Sequence, residues 1–374
     1  MNDLRPLARL PILVLGMLSL LGGVLSGLAR LGWDVPTIAA NAAGLHGALM
    51  ISAFFGTVIS LERAVALGRA WAYLAPAAAG AGGVALLGGA PLAVSQGLAL
   101  VASAVMLAAN VQVVRRLLAP FTVVLASGAL CWAVGNLVWL VSGATSVATP
   151  WWFAFLILTI GGERLELSRF IPTPQAAQRV FFAIVGALLA GAALSLFDER
   201  HGLALFSVAL LSLAAWLLAF DIASRNVHRD GLPRFIALCL LTGYVWLGVA
   251  GILGIGGGFE LGHLWRDSTL HAVGLGFVFS MVLGHAPIIF PAVARVKIPY
   301  HISFYLPLLA LHVTLLLRVL GGIGGDFSLR RIGGLANAYA LLAFFAVLVI
   351  GVLRGKAAAR LDSRQCSTSP KANL

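Results

Sequence analysis

Twelve apolar stretches, each about 20 residues long, run almost end to end through this chain. A helix needs about 20 mostly apolar residues to cross the hydrocarbon core of a bilayer, so each stretch is long enough for one crossing. The stretches cover residues 10–30, 41–62, 71–90, 92–113, 120–142, 149–170, 178–197, 201–222, 233–255, 266–294, 302–321 and 333–353. We therefore predict an all-α polytopic membrane helix bundle of about 12 transmembrane helices, which forms a single domain over residues 1–355.

The composition excludes a water-soluble protein. Hydrophobic residues make up 60% of the chain and charged residues 10%, whereas soluble domains carry about 25% charged residues. The net charge of +12 lies mostly in short loops between the apolar stretches, and the sequence holds no nucleic-acid-binding motif, so no nucleic-acid partner is expected. The polar residues 356–374 predict a disordered cytoplasmic tail.

The distribution of lysine and arginine predicts the orientation in the membrane. If the N-terminus is cytoplasmic, 19 of the basic residues fall on the cytoplasmic side and 6 on the other side. Cytoplasmic loops carry the excess of positive charge in membrane proteins, so both termini are expected in the cytoplasm. Arg5 and Arg9 precede the first stretch as in a signal peptide, but no convincing A-x-A cleavage site follows, and we interpret this stretch as the first span.

Four histidines lie within the apolar stretches at two matching depths. His46 and His271 each enter their span from the outer side, while His285 and His312 lie at a similar level in the inner half, as judged from a rise of about 1.5 Å per residue. His271 and His285 are separated by 14 positions, almost four helical turns, so they share one face of the tenth span. The pattern predicts an outer pair and an inner pair of imidazoles.

Paired imidazoles on facing helices are the axial ligands that haem b requires, so one or two haems are expected. Met50 lies one helical turn after His46, and histidine with thioether also suits copper. A single membrane histidine more often hydrogen-bonds a neighbouring carbonyl or hydroxyl group, and methionine more often packs in the core, so these structural interpretations stay open.

The sixth span ends in LTIGGERLELSRF, which places Glu163 and Arg164 near the cytoplasmic boundary. The second span ends similarly, with Glu62 and Arg63. Glu163 is the deepest carboxylate and our candidate proton relay, and Arg164 is a candidate partner of haem propionates. Interfacial ion pairing is the structural alternative.

Three segments of the chain resemble the NnrS family. These are LHGALMISAFFGTVI at 45–59, TLHAVGLGFVFSMVLGH at 269–285 and LPLLALHVTLLLRVLG at 306–321, in which His46, Met50 and His271 match family positions. The resemblance implies a haem- and copper-containing protein of the bacterial inner membrane, linked to nitric oxide in denitrifying and NO-stressed bacteria and distantly similar to subunit I of haem-copper oxidases. The chain departs from the family at Ala48 and Leu49, where the family has histidine and glutamate.

Three functions follow as hypotheses. The first is a haem-binding redox protein of nitric oxide metabolism or NO-stress resistance. Whether such a protein is also a haem-dependent oxidoreductase acting on nitric oxide stays open. The second is a proton-coupled secondary transporter that uses the intramembrane histidines and Glu163. The third is an assembly or sensory subunit whose histidines bind the haem of a partner. The sequence leaves the electron donor open.

Overall fold

The computed structural model describes residues 3–168, 174–294, 296 and 298–368. Its described residues form helices, turns and loops without a strand, and twelve helices are long and apolar enough to cross a membrane. The predicted all-α bundle of about 12 spans is therefore confirmed. The spans are α1 Pro6–Arg30, α2 Ala48–Leu67, α3 Ala70–Leu87, α4 Leu92–Arg116, α5 Pro120–Ser142, α6 Thr145–Ser168, α7 Gln175–Leu194, α8 Glu199–Phe220, α9 Leu232–Ile255, α10 Arg266–Pro291, α11 Ile302–Ile323 and α12 Phe327–Lys356.

Successive spans are antiparallel, so every even-numbered span ends at the face where α1 begins. We call this face the terminal face and the other the opposite face. The helix that contains α12 continues to Thr368. Neither the disordered tail predicted at 356–374 nor the cytoplasmic location of the termini is tested by the fold, and both stay predictions.

Local sequence signals fix the ends of several spans. Pro120 occupies the first turn of α5, where its missing N–H costs nothing, and the Thr122 hydroxyl accepts the N–H of Ala119 just before the helix. Gly143 ends α5 in a left-handed conformation, with φ of 68°, that glycine adopts without a Cβ penalty. Asp198 caps α8 by accepting the backbone N–H of His201 at 3.2 Å.

Spans α2, α6 and α10 form the centre of the bundle. In their most apolar windows 67%, 72% and 67% of the residues are buried, against 33% in each of α1, α4 and α12. The central spans therefore contact protein on most sides, while the peripheral spans present most of their surface to lipid. A polar group carried by a central span is positioned by neighbouring helices.

A hydrogen-bonded network joins α2 to α5 and α6. The Ser52 hydroxyl donates to Asn136 Oδ1 at 2.9 Å, and the indole N–H groups of Trp132 and Trp152 donate to Ser52 Oγ and Asn136 Oδ1. The amide of Asn136 in turn donates to the carbonyl oxygen of Ala99 on α4. Because these buried polar groups satisfy one another, the network fixes the relative positions of the four helices.

Two π-helical segments interrupt the central spans. One covers Ala48–Phe55 in α2 and the other Ala272–Phe279 in α10. Each segment begins within two residues of a histidine, His46 or His271. The wider turns of a π-helix are frequent at functional sites in membrane and soluble proteins.

Candidate functional site

The structure brings together the two histidines that the depth estimate paired near the opposite face. His46 lies just before α2 and His271 lies in the first turns of α10. Their ring centroids are 6.1 Å apart, and the ring planes meet at 22°. The two rings are nearly parallel at a separation typical of offset aromatic pairs, and no hydrogen bond joins them.

Both imidazole rings are held by backbone carbonyl groups through the same nitrogen. His46 Nδ1 lies 2.7 Å from the carbonyl oxygen of Gly23 on α1, and His271 Nδ1 lies 2.8 Å from that of Asp267. A carbonyl oxygen only accepts, so each Nδ1 must carry the hydrogen and each Nε2 must hold a lone pair. A hydrogen bond from Nδ1 to a backbone carbonyl orients metal-ligating histidines in many proteins and fixes their tautomer.

A cavity adjoins the two rings and is mostly apolar. It is formed by spans α1, α2, α6, α10, α11 and α12, and its walls include Leu28, Phe55, Phe153, Leu156, Phe279 and Leu341. Apolar walls lower the local dielectric around the two imidazole rings.

Glycines make room on both sides of the histidines. A Cβ on Gly27 of α1 would lie 2.8 Å from Cε1 of His46, so only glycine lets α1 approach this ring. Gly47 and Gly274 line the cavity, and a Cβ at either position would meet no heavy atom within 4 Å. These two positions therefore border open space beside the histidines.

A buried ion pair lies beside His271. Arg318 of α11 donates from Nε and Nη2 to the two carboxylate oxygens of Asp267, each at 2.8 Å. The Arg318 side chain is 7% exposed and lines the cavity, and its third nitrogen, Nη1, makes no hydrogen bond within the described part of the chain. The guanidinium can therefore bind a further carboxylate without releasing Asp267.

Met50 also lines the cavity, and its Sδ packs against Gly23 of α1. Residues 3–168, 174–294, 296 and 298–368 contain no group of three or more histidine, cysteine, aspartate or glutamate side chains that could hold a metal ion. The donor set at this site is thus the two histidines, with the Met50 thioether nearby.

The structure does not pair the two histidines in the other half of the bundle. His285 Nε2 is 2.8 Å from Arg164 Nη2, and its Nδ1 contacts the carbonyl of Met281. His312 instead accepts the indole N–H of Trp246 on Nδ1 at 2.9 Å. The two rings therefore contact different neighbours, and the second haem or copper site expected between them stays a prediction.

The two Glu-Arg segments at the terminal face contact each other. Glu163 of α6 forms an ion pair with Arg63 of α2, and both side chains are about one-quarter exposed or less. Arg164 points the other way, to His285, and is 4% exposed. Arg164 is therefore remote from the cavity beside His46, and the predicted contact with haem propionates is not available at that site.

Residues 9–353 match the family described as Domain of unknown function (DUF8744). The chain belongs to this family. The matched region takes in parts of all twelve spans and every residue of the histidine pair. Comparison with curated proteins and with solved structures gave no match.

Sequence reasoning missed two residues at the site of this DUF8744 protein. Neither Arg318 nor Asp267 is among the site residues predicted from the sequence. A signal existed for both: Asp267 precedes His271 by one helical turn, and Arg318 interrupts an apolar stretch before its end. Neither signal showed that the two side chains meet.

Proposed function

We propose that this chain binds one haem b near the opposite face, with His46 and His271 as its two axial ligands. The separation of the two rings carries the proposal. Two imidazoles that share one metal ion through bonds of about 2.0–2.1 Å have ring centroids about 6 Å apart, and the centroids here are 6.1 Å apart. The anchored Nδ1 atoms support the same assignment because they leave Nε2 as the ligand atom.

The surrounding residues fit this cofactor. Gly47 and Gly274 border free space beside the histidines, and apolar side chains line the rest of the cavity. Arg318 offers an uncommitted guanidinium nitrogen to a carboxylate group such as a haem propionate.

A haem with two histidine ligands supplies one-electron transfer. The residues of this chain perform the other tasks. Gly23 and Asp267 hold the tautomer of the two histidines, the apolar walls exclude water, and Arg318 compensates negative charge beside His271. Such a site fits a redox protein, and we propose oxidoreduction linked to nitric oxide as its role.

The link to nitric oxide rests on the resemblance of residues 45–59, 269–285 and 306–321 to the NnrS family. The 19-to-6 distribution of basic residues supports cytoplasmic termini, and together with that resemblance it supports a location in the bacterial inner membrane. Copper is a weaker proposal, because Met50 and His46 are the available donors and a third protein ligand is missing among the described residues.

A proton-coupled secondary transporter is the second candidate. The Arg63–Glu163 ion pair and the contact between Arg164 and His285 favour it, because ionisable residues inside a membrane commonly mark a substrate or proton path. This candidate makes no use of the His46–His271 pair as metal ligands, so the colour of the purified protein separates the two functions.

The test is an absorption spectrum of the full chain, purified in detergent from cells supplied with haem, in the oxidised and dithionite-reduced states. We expect a b-type spectrum, and a pyridine haemochrome assay should give one haem per chain. Two haems per chain would indicate a second haem site near His285 and His312. A colourless protein would overturn the haem proposal and favour the transporter.

A further inference from the structure

A second polar cluster lies in the half of the bundle near the terminal face, away from the His46–His271 pair. It consists of Arg164 on α6, Asp221 at the end of α8, Tyr244 on α9 and His285 on α10. Arg164, Asp221 and Tyr244 are 4%, 2% and 0% exposed. Four different spans thus direct ionisable side chains into one buried region.

Three polar atoms of this cluster lack a hydrogen-bond partner in the described structure. They are Arg164 Nε, Asp221 Oδ2 and the Tyr244 hydroxyl. Arg164 interacts electrostatically with Asp221 and with Tyr244, and the Tyr244 hydroxyl lies beside the Asp221 carboxyl without meeting hydrogen-bond geometry, so the atoms belong to one site. Leaving a buried donor or acceptor unsatisfied costs about 1–3 kcal/mol per group, and proteins meet this cost with buried water molecules that make about three hydrogen bonds each.

The chemistry of the three atoms matches water. Arg164 Nε can only donate, Asp221 Oδ2 accepts when ionised, and the Tyr244 hydroxyl can do both. Other atoms of the same side chains have partners within the protein. Asp221 Oδ1 accepts the backbone N–H of Ala223 at 2.7 Å, and Arg164 Nη2 contacts His285. One water molecule between the three atoms would complete the set.

We propose that Arg164, Asp221 and Tyr244 enclose a bound water molecule, and that this hydrated site takes up and releases a proton at the terminal face. In the uptake step the proton passes from solvent through the bound water to Asp221 Oδ2. In the release step the O–H bond of Asp221 breaks, the proton returns to water, and Arg164 compensates the carboxylate charge. The step needs no other reactant.

The groups that face Asp221 are few. Among the described residues, Arg164 on α6 and Tyr244 on α9 are the charged and titratable groups that interact with it, while His285 on α10 reaches the region through Arg164. The following turn contributes the N–H of Ala223. On α7, which packs against α8, Ala177 offers a carbonyl to Trp216 and no charged group interacts with Asp221.

Two further observations support proton exchange at this position. Burial raises the pKa of the Asp221 carboxyl, which favours its protonated form at higher pH than an exposed aspartate. Glu163, the neighbour of Arg164 in the chain, forms a partly exposed ion pair with Arg63, so a solvent-accessible carboxylate lies next to the cluster in sequence. The proposal is independent of a cofactor at the opposite face.

The test is infrared spectroscopy of the full chain in lipid nanodiscs, as a pH titration in H₂O and D₂O. We expect a protonated-carboxyl band that disappears as the pH rises, shifts in D₂O, and is missing in Asp221→Asn. Asp230→Asn removes an exposed carboxylate from the same loop and should leave the band unchanged. If a folded Asp221→Asn protein keeps every carboxyl band, the proposal is overturned.

A second variant covers the case in which Asp221→Asn does not fold. Tyr244→Phe keeps the carboxyl group and removes one hydrogen-bond partner, so the band should remain but change frequency. Exchange into H₂¹⁸O should also shift a water O–H band in the difference spectrum between low and high pH. A Tyr244→Phe band at the wild-type frequency, or the absence of a water band, would overturn the water site.

Discussion

The histidines near the opposite face and those near the terminal face have similar sequence surroundings but different partners. His46, His271 and His285 each hold Nδ1 against a backbone carbonyl. In the first two residues Nε2 remains uncommitted, whereas Arg164 contacts Nε2 of His285. His312 has the other arrangement, because its Nδ1 accepts a hydrogen bond and its buried Nε2 has no partner in the described structure.

The difference shows that depth in the membrane is insufficient to define a ligand pair. A histidine becomes a suitable ligand when a second group fixes its tautomer and leaves the other nitrogen facing open space. His46 and His271 meet both conditions, while His285 meets only the first. The buried Arg164 contacts Nε2 of His285, so this imidazole belongs to a hydrogen-bonded cluster and has no nitrogen left for a metal ion.

The largest expected effect is the loss of cofactor binding when His46 or His271 is replaced. His46→Ala or His271→Ala should abolish the Soret band, because each substitution removes one axial ligand and leaves an apolar gap. His312→Ala should retain the band at wild-type intensity and serves as the matched control. Absorption spectra of purified, monodisperse protein measure this, and full haem in both His46→Ala and His271→Ala would contradict the assignment.

A smaller effect is expected from the ion pair behind His271. Asp267→Asn keeps the backbone carbonyl that holds His271 but removes the charge that orients Arg318. Loss of such an outer-shell partner typically weakens binding about 10–100-fold. Haem titration of the apoprotein measures the affinity. Asp34→Asn, an exposed carboxylate near the same face, is the control and should bind as the wild type.

The smallest effect is expected from alanine substitutions at two glycines of α10, Gly274 beside the cavity and Gly276 in contact with Trp246. Gly274→Ala adds a methyl group where no heavy atom lies within 4 Å, so the fold should be unchanged and haem affinity should fall less than in Asp267→Asn. Gly276→Ala would place Cβ 2.5 Å from Trp246, and overpacking of this kind costs about 1–3 kcal/mol. Thermal unfolding should therefore distinguish the two variants; equal stabilities would contradict the packing difference.

Much of the fold follows from hydropathy alone. The tenth apolar stretch, expected at 266–294, appears as Arg266–Pro291, and the number of spans agrees. Hydropathy succeeds because a membrane helix must satisfy its backbone hydrogen bonds internally and must match the bilayer thickness. The same two constraints set the depth of each histidine, which is why His46 and His271 could be paired from sequence.

The lateral arrangement could not be read from the sequence, because depth says nothing about which way a residue points around its helix. Glu163 and Arg164 are adjacent residues about 100° apart around α6, and they contact different helices, α2 through Arg63 and α10 through His285. The pairing of Arg318 with Asp267 likewise depends on which spans are neighbours. Such information is held in the packing of the whole bundle.

The π-helical segments Ala48–Phe55 and Ala272–Phe279 make the number of residues, rather than their identity, a requirement of the site. A π turn accommodates an extra residue relative to an α-helix of the same height. Deleting one residue from either segment would let it relax to an α-helix and would turn the preceding histidine by about 100° relative to the rest of its span. The number of residues in each π-helical segment thus determines whether the two imidazoles face each other. Deleting one residue would separate the rings even if every side chain around the cavity were retained.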